Sequence, residues 1–262
     1  MFGSNEYWWA GLLVFFLFIG INVIIWALRK KPQLSYAIAY SIAIFLFIFK
    51  VTEYTYWQAI GLHMKFPMEL SALSYVFFSI FVVFRIKKAD VFGVFLGVLA
   101  GAIYSAAWWI SPDSFVLNAD EPFWRYSALV NHHLVYIGGM LMLANVRRYR
   151  YSSAWIHIVG VGAIVAYSWV IYLFTPYVRD NGGGKPIIIQ ITDGSVLENL
   201  FKNGITTTHT IIYYILAILL FLAIVFGSLF LNHLTTKRRV KNGLPEDFYP
   251  PFKEIYKIKS AK

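Results

Sequence analysis

The chain contains no cysteine, and its acidic residues number only 13 against 23 basic ones in 262. The first absence excludes disulfides, thiolate metal sites and a cysteine nucleophile. Charge of either sign is scarce at 14%, while hydrophobic residues make up 59%, aromatics 19%, and the mean hydropathy is +0.61. So few charges do not cover a water-soluble surface. No internal repeat, heptad array or low-complexity tract is apparent. What the chain has instead is long apolar runs. Crossing ~30 Å of hydrocarbon takes ~20 helical residues, and apolar runs fall at 7–28, 35–57, 69–85, 91–110, 127–146, 153–175 and 209–232. The expectation is an all-α polytopic membrane protein: one seven-helix transmembrane domain over residues 1–236 and a basic cytoplasmic tail over 237–262. The first run has no basic n-region and no small-residue cleavage site, so it is expected to remain as the first span.

Loop charge orients the bundle. Arg29, Lys30 and Lys31 follow the first run, Arg85, Lys87 and Lys88 the third, Arg147, Arg148 and Arg150 the fifth, and Lys237, Arg238, Arg239 and Lys241 the seventh. The alternate connections carry Asp113, Asp120, Glu121, Asp180, Asp193 and Glu198 with few basic residues. Positive loops stay cytoplasmic, which puts the N-terminus outside and the C-terminus inside a cell membrane crossed several times. The net charge of +10 then reflects topology and attraction to anionic lipid. Membrane lipids are the expected partners, nucleic acid is not one, and no cofactor is implied. Trp8, Trp9, Trp57, Trp108, Trp109 and Trp124 fall near predicted outer ends, as an interfacial belt does. The outer segment 176–208 holds a Gly-rich turn in "RDNGGGKP", a short β-prone run in "IIIQI" and an interfacial helix in "SVLENLFKN"; a segment of this length is either a lid or a solvated spacer.

Polar residues within the runs converge on one depth. At ~1.5 Å per residue, Lys50 and Glu53 lie about 10 and 6 Å below the outer end of the second run. Glu69 and Ser71 open the third beside Pro67, Asn131, His132 and His133 lie one to two turns down the fifth, and His209 begins the seventh. Intramembrane ionisable groups cost several kcal/mol unless they pair or face a polar cavity. An outer-half pocket satisfies them together. Each residue also has a structural reading: Lys50 and Glu53 as an i, i+3 pair, Glu69 as an acid at a helix start, Ser71 as a packing residue. His132 and His133 are ~100° apart on a helix, so one of the two is expected to look into the bundle.

The stretches "TEYTYWQAIGLHMKFPMELSALSYVFF" and "FWRYSALVNHHLVYIGGMLML" resemble the second, third and fifth spans of the YwaF-like family of bacterial integral membrane proteins, related to eukaryotic transmembrane protein 164. Glu53 and Trp57 match the acid and tryptophan of the family's second span, and the register from Arg125 places His133 on its histidine. "PMELS" stands where the family has Pro-Leu-(His/Gln)-Leu-Cys, so that Ser71 replaces the cysteine and Glu69 the His or Gln; the Asn-Tyr pattern near the end of the sixth span is missing. The resemblance implies acyl transfer between membrane lipids.

The leading expectation is thus a lipid acyltransferase or hydrolase acting at the outer leaflet. Ser71 would attack an ester carbonyl, His133 would take its proton, and Glu53 or Glu69 would orient the imidazolium. Lys50, His132, Trp57 and His209 would bind substrate. The rival is a non-enzymatic protein that binds or transports a polar head group, ion or proton with the same charges and no need of Ser71. A metal site has ligands of the right type but no diagnostic spacing.

Overall fold

The computed structural model describes residues 7–61, 70–117, 122–175, 187–195 and 206–257. Every regular element among them is helical. In chain order they are α1 (Trp8–Ala27, prolonged by a 3-10 turn over Leu28–Lys30), α2 (Pro32–Ala59), α3 (Leu70–Val83), α4 (Asp90–Ile110), α5 (Pro112–Leu117), α6 (Pro122–Met140), α7 (Ala154–Phe174), α8 (Ile187–Asp193) and α9 (Thr207–Lys241).

Local sequence sets several of the ends. Pro32 begins α2, where its missing N–H is no loss. Thr206 and His209 form a reciprocal capping box at the start of α9. α3 closes with Arg85 in the left-handed region (φ 58°), its N–H on Val82 O and that of Ile86 on Phe81 O, a Schellman ending normally built on glycine. α6 widens into a π-helical turn over Leu141–Val146.

Six of these helices are long and apolar enough to cross a membrane, against the seven expected. The difference is α3: its fourteen described residues span ~21 Å at ~1.5 Å each, and the start of the expected third run lies outside the described residues. Chain direction is nevertheless regular. Asn145 on α6 donates to Ile25 O at the end of α1 (2.8 Å), Arg147 just after α6 binds Asp90 at the start of α4 (2.9 Å), and Arg239 near the end of α9 donates to Arg147 O (2.8 Å). The Arg85 side chain after α3 donates to Pro250 O, and Gln33 at the start of α2 to Glu254 O. One end of the bundle therefore gathers the basic residues, and α3 runs towards it from the other end.

The core runs through α2, α3, α4 and α6, whereas α1, α7 and α9 leave Phe16, Val159, Leu216, Leu220 and other large apolar side chains exposed. Such faces suit hydrocarbon as solvent and not water. Helix association in that solvent depends on close backbone approach and internal polar contacts. α4 supplies the first with Gly93, Gly97 and Gly101, four residues apart; a Cβ on Gly97 would lie 2.9 Å from Val135, and one on Gly101 2.7 Å from His132 O and 2.4 Å from the Tyr136 side chain. The π turn supplies the second, since Asn232 of α9 donates to Leu143 O and Arg147 O and accepts from Tyr149 N–H.

The C-terminal tail is folded onto the basic end. Phe248 N–H bonds Val146 O, Phe248 and Tyr249 pack on Tyr36, and Ile255 is fully buried. Arg147 joins Asp90 and Asp247 through its Nε and Nη1, while Arg85 lies over the Tyr249 ring at 4.3 Å. Burial alone would lower the Arg147 pKa; the neighbouring Tyr149, Asp90 and Asp247 more than offset this and hold it above the ordinary arginine value.

One local expectation is corrected. "IIIQI" is not extended but lies within α8, because Ile188, Ile191 and Thr192, spaced i, i+3, i+4, meet one apolar surface. The helix expected in "SVLENLFKN" falls almost wholly outside the described residues.

Candidate functional site

At the end of the bundle away from the basic residues, α3, α4, α6, α7, α8 and α9 enclose a cavity of about 580 Å³. Its walls are almost entirely apolar, with Leu99 and Ile103 from α4, Ile164 from α7 and Phe221 from α9. Four residues break that surface: Ser71, Tyr104, His132 and Thr192. Thr192 belongs to the pinning of α8, since its Oγ1 donates to Ile188 O (2.9 Å) and accepts from Trp169 Nε1 (2.9 Å), while its carbonyl accepts from Tyr214 OH (2.9 Å).

His132 is held at one ring face, by an edge-on tyrosine and at Nδ1. Tyr104 stacks on the imidazole with ring centroids 3.6 Å apart and planes at 8°, a contact that the glycine-permitted approach of α4 and α6 makes available. Tyr75 meets the ring edge-on at 5.2 Å, its hydroxyl 2.6 Å from Nδ1. Nδ1 is also 2.7 Å from Ala128 O. A carbonyl only accepts, so Nδ1 carries the proton and Nε2 keeps its lone pair. Nε2 makes no hydrogen bond among the described residues and remains available to a ligand.

The other expected groups distribute around this centre. Lys50 and Glu53 pair with each other at 2.5 Å, their side chains 12% and 6% exposed, and Lys50 Nζ sits 4.6 Å from the centre of the Tyr75 ring. The pair thus backs the wall that holds His132 and does not line the cavity. Ser71 lines the cavity with His132, but its hydroxyl makes no hydrogen bond among the described residues; the hydroxyl bonded to the imidazole is that of Tyr75. Glu69 lies outside the described residues.

His133, favoured by the sequence register, is not a cavity residue. It is buried elsewhere in the packing of α6, with Nδ1 2.7 Å from Leu129 O and Nε2 without a partner among the described residues. Both adjacent histidines are buried, contrary to the expectation of one, because α6 is central and packs on α2, α3, α4 and α1 at once. His209 caps α9 through its backbone N–H and Nδ1, and Trp57 packs on Tyr54; neither is a cavity residue. Tyr75 and Tyr104 escaped the sequence reading, since tyrosine in an aromatic-rich chain carries no distinguishing pattern. Among the described residues, no group of three or more His, Asp or Glu is placed to hold a metal ion. No protein-family model, no curated protein and no solved structure matches the chain.

Proposed function

We propose that this is a multi-pass protein of the cell membrane that binds a lipid, with an apolar chain in the 580 Å³ cavity and a hydrogen-bonding group of the lipid at His132 Nε2. The observation that carries the reading is a large apolar cavity whose wall presents one rigidly oriented imidazole with an unused acceptor. Apolar walls with few convergent polar groups are the usual make-up of a small-molecule site. Seven crossings, counting α3 as one, with the N-terminus outside, are the proposed topology; loop charge supports it, as does the return of α3 to the basic end. The cavity then belongs to the outer half of the membrane.

A second reading, acyl transfer or ester hydrolysis, draws support from Ser71 sharing the cavity with His132 and from the resemblance to YwaF-like proteins, in which a cysteine stands at the Ser71 position. In that chemistry Ser71 Oγ attacks the ester carbonyl while His132 Nε2 accepts its proton, the Ala128 carbonyl holds the imidazolium, and the ester C–O bond then breaks as that proton passes to the departing alcohol, leaving the acyl group on Ser71. His132 replaces His133 as the base.

One set of variants separates the two. Leu99→Trp fills the cavity and is expected to remove the lipid bound there, read as loss of one lipid equivalent by mass spectrometry of the detergent-solubilised protein. His132→Gln is expected to weaken lipid retention about tenfold, the scale of a lost hydrogen bond in a dry site, and His133→Gln to leave it unchanged. If Ser71 is a nucleophile, Ser71→Ala keeps the lipid and loses release of labelled fatty acid from phospholipid vesicles. Lipid retention untouched by Leu99→Trp would overturn the proposal.

A further inference from the structure

The opposite end of the molecule carries a second cavity, of about 440 Å³, between the turn from α6 to α7 and the last turns of α9. Arg148, Arg150, Tyr151, His233, Lys237 and Glu246 contribute to its lining. Its charge is not balanced internally. Glu246 is paired with Arg148, whereas Arg150 and Lys237 form no ion pair among the described residues. Neighbouring Arg147 is turned away into the bundle towards Asp90 and Asp247 and is spoken for. Beside the pocket, α9, which lines it, and α7, which begins just after its Tyr151, expose apolar side chains along their length: Trp155, Ile158 and Val159 on α7, and Phe226, Phe230 and Leu234 on α9. A concave cationic site thus opens onto faces suited to hydrocarbon, and Tyr151, 45% exposed at the rim, is of the residue type that settles at the head-group level.

We infer that this pocket holds the phosphate of an anionic phospholipid from the surrounding leaflet, with its acyl chains lying on the exposed faces of α7 and α9. Arg150 and Lys237 supply the uncompensated positive charge, with Arg150 able to engage two phosphate oxygens at once. A basic pocket between helices on the cytoplasmic side is a known means of head-group recognition. The site does not depend on the outer cavity or on what that cavity does.

The test uses the full chain in detergent, titrated with phosphatidylglycerol or phosphatidylcholine and followed by native mass spectrometry. Phosphatidylglycerol is expected to bind more tightly than phosphatidylcholine. At about fivefold per basic residue, Arg150→Ala with Lys237→Ala should weaken it about 25-fold, and Arg150→Lys with Lys237→Arg should keep most of the affinity. Arg238→Ala with Lys253→Ala removes equal charge outside this pocket and should change binding less than twofold. Equal losses in the two alanine pairs would reduce the effect to general charge attraction and overturn the proposal, as would equal binding of both lipids. Displacement of phosphatidylglycerol by millimolar inorganic phosphate would overturn the lipid assignment in favour of a soluble phosphate ligand.

Discussion

Arg147 shows how differently one residue reads in sequence and in the fold. In the sequence it is one of three arginines after an apolar run and signals orientation. In the folded protein it is 5% exposed and joins the start of α4 to the tail through Asp90 and Asp247. Removing one member of a buried ion pair leaves the other charge uncompensated, at a cost of about 3–5 kcal/mol. Arg147→Ala is therefore expected to lower the thermal unfolding midpoint markedly in detergent, and Arg148→Ala, whose pair with Glu246 is about half exposed, to do little. Equal midpoints for the two variants would show that the Arg147 pair does not hold the tail. The histidines teach the same lesson at shorter range. Residues 132 and 133 have the same side chain and similar burial, and only the directions taken from α6 separate a cavity residue from a packed one.

At the scale of elements, the approach of α4 to α6 is the feature on which the site depends. Gly101 places its Cα beside His132 O and Tyr136, and three residues later Tyr104 stacks on His132. Gly101→Ala inserts a methyl where backbone cannot yield, so α4 and α6 must separate and the stack must open. The expected outcome is lower thermal stability together with weaker lipid retention. Gly162, on α7, has nothing within 4 Å of an added Cβ; Gly162→Ala should be neutral or raise stability by about 0.5–1 kcal/mol through helix propensity. A Gly101→Ala protein as stable and lipid-loaded as the parent would refute the packing account. The "GVFLGVLAG" spacing behind this contact stands openly in the sequence as a small-xxx-small pattern. The identity of the partner helix does not, because many helices could meet such a face.

For the whole molecule, the proposed topology makes a direct prediction on a chain that has no cysteine of its own. A cysteine replacing Gly183 is expected to react with an impermeant maleimide on intact cells, and one replacing Gly243, at the basic end after α9, only after permeabilisation. The opposite pattern would invert the bundle. The tail ties that basic end together: its contacts reach α2 through Tyr36, the end of α3 through Arg85, and the end of α6 through Val146. Its aromatic and proline content, "DFYPPFKEIY", is visible in the sequence, but a tail of mixed charge next to a membrane is equally consistent with a solvated extension.

The all-helical class, the approximate place of the apolar helices and the gathering of basic charge at one end were determined by the sequence alone. These follow from hydropathy and from charge next to each run, which are local properties of the chain. The pairing of Lys50 with Glu53 was legible for the same reason, as both lie on one helix face three residues apart. The tertiary structure alone decided that His132 and not His133 meets Ser71 across a cavity, that Tyr75 and Tyr104 fix its ring, that α8 packs as a helix against that cavity, and that Arg147 turns inward. Each of these depends on the rotation and separation of helices distant in sequence, quantities set by side-chain fit between neighbours and carried by no single segment.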